Sequence, residues 1–200
     1  MFPTPARAVR AALATAASLV LVAGLGACSS DGGSDPDGNE PSPESTEAAP
    51  GIPTKSTIGF VKGKLQRDLR KQLRLRVTKA VDAWIDAAYV AGDYPRSDFS
   101  DAFTVFSKGA ATLAKRDKGL MSNAEVGDRV DSVTAKTRRL RIDVLADRGK
   151  AAGVTARVVI LLALDGEVRR TDRIAGRLFL GYSGTGWQVF GYDVKRGRVA

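Results

Sequence analysis

Few side chains in this 200-residue chain are suited to chemistry near neutral pH. There is one cysteine, Cys28, and no histidine. Lack of histidine removes the side chain whose unperturbed pKa lies nearest neutrality, and with it any Asp–His dyad. Proton transfer would then need a carboxyl raised by burial, and Asp82, Asp86 and Asp143 are the candidates, with Tyr89 or Tyr182 as oxyanion partners. Asp82 and Asp86 stand at i and i+4, a spacing that equally suits a solvated helix face balanced by Lys79. Asp98 with Asp101, and Asp128 with Asp131, are close in sequence, but capping and loop solvation account for them. Neither a metal nor a cofactor is expected. No phosphate-cradling loop is present, since Gly181 to Gly186 falls between two strand patterns and opens no helix.

The lone thiol sits in a specific context. Arg7 and Arg10 precede an uncharged apolar run, Ala11 to Leu25, and Gly26 and Ala27 lead into Cys28. A positive segment, an apolar segment and small residues before a cleavage point make an export signal. The run of about 15 residues is shorter than the ~20 that span a bilayer. Leu25-Gly26-Ala27-Cys28 resembles the lipobox of bacterial lipoproteins at all four positions. That resemblance implies cleavage before Cys28 and diacylglycerol attachment to its sulfur. Two or more acyl chains anchor stably where one does not. The expected location is therefore the outer face of the cytoplasmic membrane.

Ser29 to Pro53 is rich in Ser, Gly, Pro, Asp and Glu, and almost no large apolar side chain is available to repay ordering. It reads as a disordered acidic tether with a span of roughly 25–30 Å. The organisation expected is a signal peptide over 1–27, a lipidated cysteine and tether over 28–57, and a single domain over 58–200. From Gly51 onward there are 29 Lys and Arg against 16 Asp and Glu, a net +13. With no disulfide or metal cluster to help, that domain must rest on apolar packing.

Leu65, Leu69, Leu73, Val77, Val81, Trp84, Ile85 and Ala88 recur at spacings of three and four, which predicts an amphipathic helix over 64–91 stopped by Gly92. Asp98 is placed to cap a second helix running to about Arg116 with Phe99, Phe103 and Phe106 on its apolar side. A loop or short helix follows over 118–128. From Val130 the period changes to two, with Leu140, Ile142 and Val144 alternating with Arg139, Arg141 and Asp143. Val154 to Leu164 is nearly all apolar and reads as a central strand covered on both faces. Asp165-Gly166 signals a hairpin, and two further strands are expected over 169–182 and 187–194, ahead of a basic tail from Lys195 to Arg198. Helices followed by a meander mean α+β: N-terminal amphipathic helices on a curved, four-stranded antiparallel sheet.

The long helix with its inward Trp84, the second helix, the long hairpins and the final Gly186-Trp187-Gln188-Val189 strand resemble the nuclear transport factor 2-like superfamily of cone-shaped α+β domains. More narrowly, the chain is similar to exported actinobacterial members, including the Mce-associated proteins; an Arg-over-Lys excess of 20 to 11 agrees with a GC-rich genome. The resemblance covers about 65–194 and implies a sheet curled around the long helix, with an apolar pocket lined by Trp84, Tyr89, Phe103, Phe106, Phe179 and Trp187. The alternative for those aromatics is that they fill the core.

The basic side chains are the other strong feature. Arg67, Arg70, Lys71, Arg74, Arg76 and Lys79 crowd the long helix, while Arg138, Arg139 and Arg141 lie on one strand. Arg169, Arg170, Arg173 and Arg177 follow on another, and Lys195, Arg196 and Arg198 close the chain. Such an excess speaks about partners and association rate. Outside a cell the polyanions at hand are phospholipid headgroups and wall polymers, so nucleic acid is not expected. The function expected is non-enzymatic: an anchored binding or interaction domain for an envelope protein, an anionic polymer or an apolar ligand, with a homodimer allowed. A small lyase- or isomerase-like enzyme using a buried Asp in the cone is the alternative.

Overall fold

The computed structural model describes residues 51–199. The signal segment, Cys28 and nearly all of the tether lie outside the described residues. Glu47–Ala200 is a compact unit by itself. Its buried apolar residues form one cluster running from Leu65 to Val194, so the unit carries its own core.

Strand β1 (Lys55–Lys62) comes first, then helix α1 (Arg67–Ile85), which continues through a π-helical turn over Asp86–Val90. A 3-10 turn (Ser100–Phe103), α2 (Lys108–Arg116), α3 (Lys118–Met121) and a second 3-10 turn (Gly127–Arg129) follow. The chain then runs as a meander through β2 (Val130–Asp147), β3 (Lys150–Gly166), β4 (Arg170–Tyr182) and β5 (Trp187–Val199). The sheet order is β1-β2-β3-β4-β5, with β1 parallel to β2 and every other pair antiparallel. The α+β class stands, but the sheet has five strands and is mixed.

The extra strand corrects the domain boundary, since Lys55 to Thr57 belong to β1 and not to a tether. Only partial burial marks it, because it is an edge strand whose partner lies about 84 residues away: Lys55 pairs with Arg139 and Lys62 with Leu145. Its register slips between Ile58 and Val61. There the amide of Phe60 donates to Asp143 Oδ1 at 2.9 Å, so a carboxylate replaces the missing sheet acceptor. At Gly63 the chain leaves the sheet with φ +94°, and a Cβ would stand 2.2 Å from the Ala146 carbonyl oxygen. Only glycine fits that exit.

Helix α1 forms for the reason its spacing predicts: Leu73, Val77, Val81, Trp84 and Ile85 are buried along one stripe. The second helix is corrected. Asp98 accepts from the Ser100 amide at 2.8 Å but opens only a four-residue turn. The backbone then breaks helical geometry to bridge β5, with Ser107 N–H donating to Val189 O and Val189 N–H to Val105 O. Ser107 next caps α2 by accepting from the Ala110 amide. Sheet pairing at Phe106 outcompetes one turn of helix.

The expectation that β3 is covered on both faces is also corrected. Val154, Ala156, Val158, Ile160, Leu162 and Leu164 are buried beneath the helices, while Thr155, Val159, Leu161 and Ala163 on the other face are half-buried and Arg157 is exposed. β5 runs on to Val199, so the expected basic tail is strand. At Gly176 a Cβ would stand 2.1 Å from Asp193 O, which lets β4 and β5 approach closely.

Candidate functional site

Five of the six aromatics expected to line a pocket are buried, and they do not surround one cavity. Trp84, Tyr89, Phe103 and Phe106 pack edge to face, with ring centres 5.5 Å apart for Trp84–Tyr89 and Phe103–Phe106 and 6.2 Å apart for Trp84–Phe106. Their polar atoms are closed internally: Trp84 Nε1–H donates to Met121 O at 3.1 Å and Tyr89 O–H to Leu120 O at 2.8 Å. Burial pushes the Tyr89 phenol far above its ordinary range, with the Arg196 charge opposing. Tyr89 is thus held neutral and committed to one acceptor. Trp187 stands apart, 6.0 Å from the Tyr182 ring beside the β4–β5 hairpin. Phe179 is on the opposite face of the sheet, against Phe190. With Phe60, Leu145 and Thr155 these two rings line an open cleft of about 310 Å³ on the uncovered face.

The carboxylates proposed for proton transfer are paired. Arg138 donates through Nη1 to Asp86 at 2.8 Å, through Nη2 to Asp82 at 3.0 Å and through Nε to Thr54 at 3.1 Å. Thr54 donates in turn to Asp82. One guanidinium thus ties the approach to β1 and strand β2 to the end of α1. Arg138 is only 7% exposed, so it leaves the expected polyanion surface. Its neighbours behave otherwise: Arg139 and Arg141 are exposed on the uncovered face, where Arg141 and Arg157 flank Asp143 at 3.4 and 2.8 Å. Arg67, Arg70 and Lys71 are exposed, and half-buried Arg74 reaches Ser56.

A second buried polar centre escaped the sequence reading. Asp172 is 1% exposed and is gripped by Arg170 at 2.8 Å and Arg196 at 2.7 Å. Arg196 also donates to Gly119 O, Ser122 O and Asn123 Oδ1, which occupies all five of its N–H bonds. Asn123 passes the connection on, donating to Tyr89 O and the Tyr94 hydroxyl. The signal for it was parity: Asp172 shares the inward set with Ile174 and Leu178, and a carboxylate there demands a partner. A cleft of about 350 Å³ opens beside it, lined by Leu120, Glu125, Arg170, Asp172, Arg196 and Arg198 among others. Because Asp172 and Arg196 are saturated, this centre clamps the 119–123 segment to β4 and β5.

Among the described residues no group of three or more Cys, Asp or Glu is arranged to hold a metal ion, and no helix is long and apolar enough to cross a membrane. No protein-family model, curated protein or solved structure matches this chain.

Proposed function

We propose that this chain is a lipoprotein anchored through Cys28 at the outer face of the cytoplasmic membrane, whose α+β domain is a non-enzymatic interaction module of the cell envelope. The observation that carries the reading is the occupied interior. Trp84, Tyr89, Phe103 and Phe106 are buried and pack against one another, which supports the reading that the aromatics fill the core and do not line a pocket. With those rings packed together, the places left for a partner are on the surface. Here the surface offers an apolar cleft around Phe60, Phe179 and Phe190 and many exposed cations. The lyase or isomerase alternative needs a carboxylate free in a cavity; Asp82 and Asp86 are instead both taken by Arg138, and Asp143 lies on the other face.

The test is the intact mass of the protein purified from its own host, under denaturing and then native conditions. The expected result is a chain starting at Cys28 with a diacylglyceryl modification and no further bound molecule. An unmodified cysteine would end the anchor reading. A co-purifying small molecule displaced by Trp84→Phe would end the filled-cone reading and revive the enzyme.

A further inference from the structure

One end of the domain combines features that the fold itself does not use. Where β1 stops, the chain passes Gly63 and enters the first turns of α1, and the β2–β3 and β4–β5 hairpins arrive at the same end of the sheet. Two shallow clefts share Leu65 there. One, about 520 Å³, is lined by Gly63, Lys64, Leu65, Arg70 and Gly149. The other, about 250 Å³, runs between Leu65, Leu69 and Leu73 of the helical segment and Ala151, Tyr182 and Trp187 of the sheet. Leu69 is 38% and Tyr182 53% exposed, so apolar surface is open to water between the elements.

Lys64, Arg76 and Lys150 line these clefts, Lys62 ends the adjoining strand, and Arg67 and Lys71 lie on the same first turns of α1; all six are exposed. None of the six has a carboxylate partner among the described residues, in contrast to Arg138, Arg157, Arg177 and Arg196 of the sheet. Between Lys64 and Lys71 four of eight residues are basic and only Asp68 is acidic. Of these four only Arg70 serves the fold, donating through Nε to Leu65 O at 2.9 Å. Like charges repel, and cations in a first helical turn oppose the helix dipole.

We propose that this end of the domain is a docking surface for an anionic phospholipid bilayer. Cations bordering apolar clefts at one end of the domain have the same layering as a bilayer interface, with charge at the headgroups and hydrocarbon below. Lys and Arg can lie their aliphatic stems along the clefts and keep their heads among the phosphates. A soluble wall polyanion would be served by the cations alone and would leave Leu69 and Tyr182 unused. The proposal rests on the anchored reading for its setting, since an anchor at Cys28 keeps the domain beside a membrane. The 27 residues from Cys28 to Lys55 reach at most about 90 Å, and β1 places Lys62 roughly 25 Å from Lys55, so the reach suffices.

The experiment uses the chain Ser29–Ala200, which keeps the whole compact unit and removes the acylation site. Binding is read by flotation with vesicles of phosphatidylcholine alone, or with about 30% phosphatidylglycerol, at low and high salt. Binding to the anionic vesicles that weakens with salt is expected. Replacing Lys64, Arg67, Lys71 and Lys150 by Gln should lower the partition on the order of 600-fold, at about five-fold per basic residue. The quartet Lys136, Arg139, Arg173 and Lys195 replaced by Gln removes the same charge elsewhere and should keep most of the binding. Leu69→Ser with Tyr182→Ser should remove the part that survives high salt. Equal loss in both quartets would overturn the proposal in favour of net charge, and retention on polyglycerol phosphate without vesicle binding would overturn it in favour of a wall polymer. Circular dichroism confirms that each variant is folded. Because the chain lacks Cys28, a failure here leaves the acylation result standing, and an unmodified Cys28 leaves vesicle docking standing.

Discussion

Replacing Arg196 by Met should be among the most damaging single changes on the strand face. The thioether keeps much of the stem's volume but none of its five donors. Asp172, 1% exposed, would keep only Arg170 at 2.8 Å, and Arg170 is itself 24% exposed. Gly119 O, Ser122 O and Asn123 Oδ1 would lose donors at 2.9, 2.8 and 2.8 Å. Breaking one side of a buried ion pair costs about 3–5 kcal/mol, and water entering the adjoining cleft keeps the unsatisfied acceptors from adding their full penalty. A loss of about 4 kcal/mol lowers the melting temperature of a domain this size by roughly 10–15 °C. Urea and thermal unfolding followed by tryptophan fluorescence would measure it. Asn123 links Arg196 to Tyr89 and Tyr94, so the near-ultraviolet signal of the folded variant should change as well. Asp172→Leu combined with Arg196→Met removes the orphaned carboxylate and should be more stable than Arg196→Met alone. A shift below about 1 kcal/mol, or a double variant showing the plain sum of the two single losses, would refute the clamp.

Two further outcomes follow from the packing and the charges. Trp84→Ala should cost about 3–5 kcal/mol, since the ring is wholly buried between Tyr89 and Phe106; a change within error in urea unfolding would mean the ring is not part of a closed core. At Asp143, burial alone would raise the carboxyl, but the bonds from Arg157 and the Phe60 amide, with the nearby charges, hold it below its ordinary value. A depressed folded pKa contributes stability that is fully present above the unfolded pKa and lost as pH falls through the folded one. Asp143→Asn should therefore narrow the gap in urea midpoint between pH 7 and pH 2.5, and an unchanged gap would remove Asp143 from the acid response.

The chain and its tertiary structure decided different things. Helix α1 and strands β2 to β5 were legible because apolar periods of 3.6 and 2 are local properties, as the stripe from Leu73 to Ile85 and the alternation from Leu140 to Val144 illustrate. The aromatics Trp84, Tyr89, Phe103 and Phe106 could be named but not resolved between lining and filling, because that depends on how closely facing elements approach. β1 was missed because an edge strand buries half a face and takes its partner from β2. Arg138 and Arg139 are adjacent and chemically identical, yet one is buried against Asp82 and Asp86 and the other is exposed. Sequence supplies the alternation, but which parity meets a carboxylate is set by the helix that crosses the sheet. The same holds for Arg196, which composition places in a basic tail and strand pairing turns inward to Asp172. Charge can be counted along a chain; whether it is spent inside the fold or left for a partner is decided only when distant segments meet.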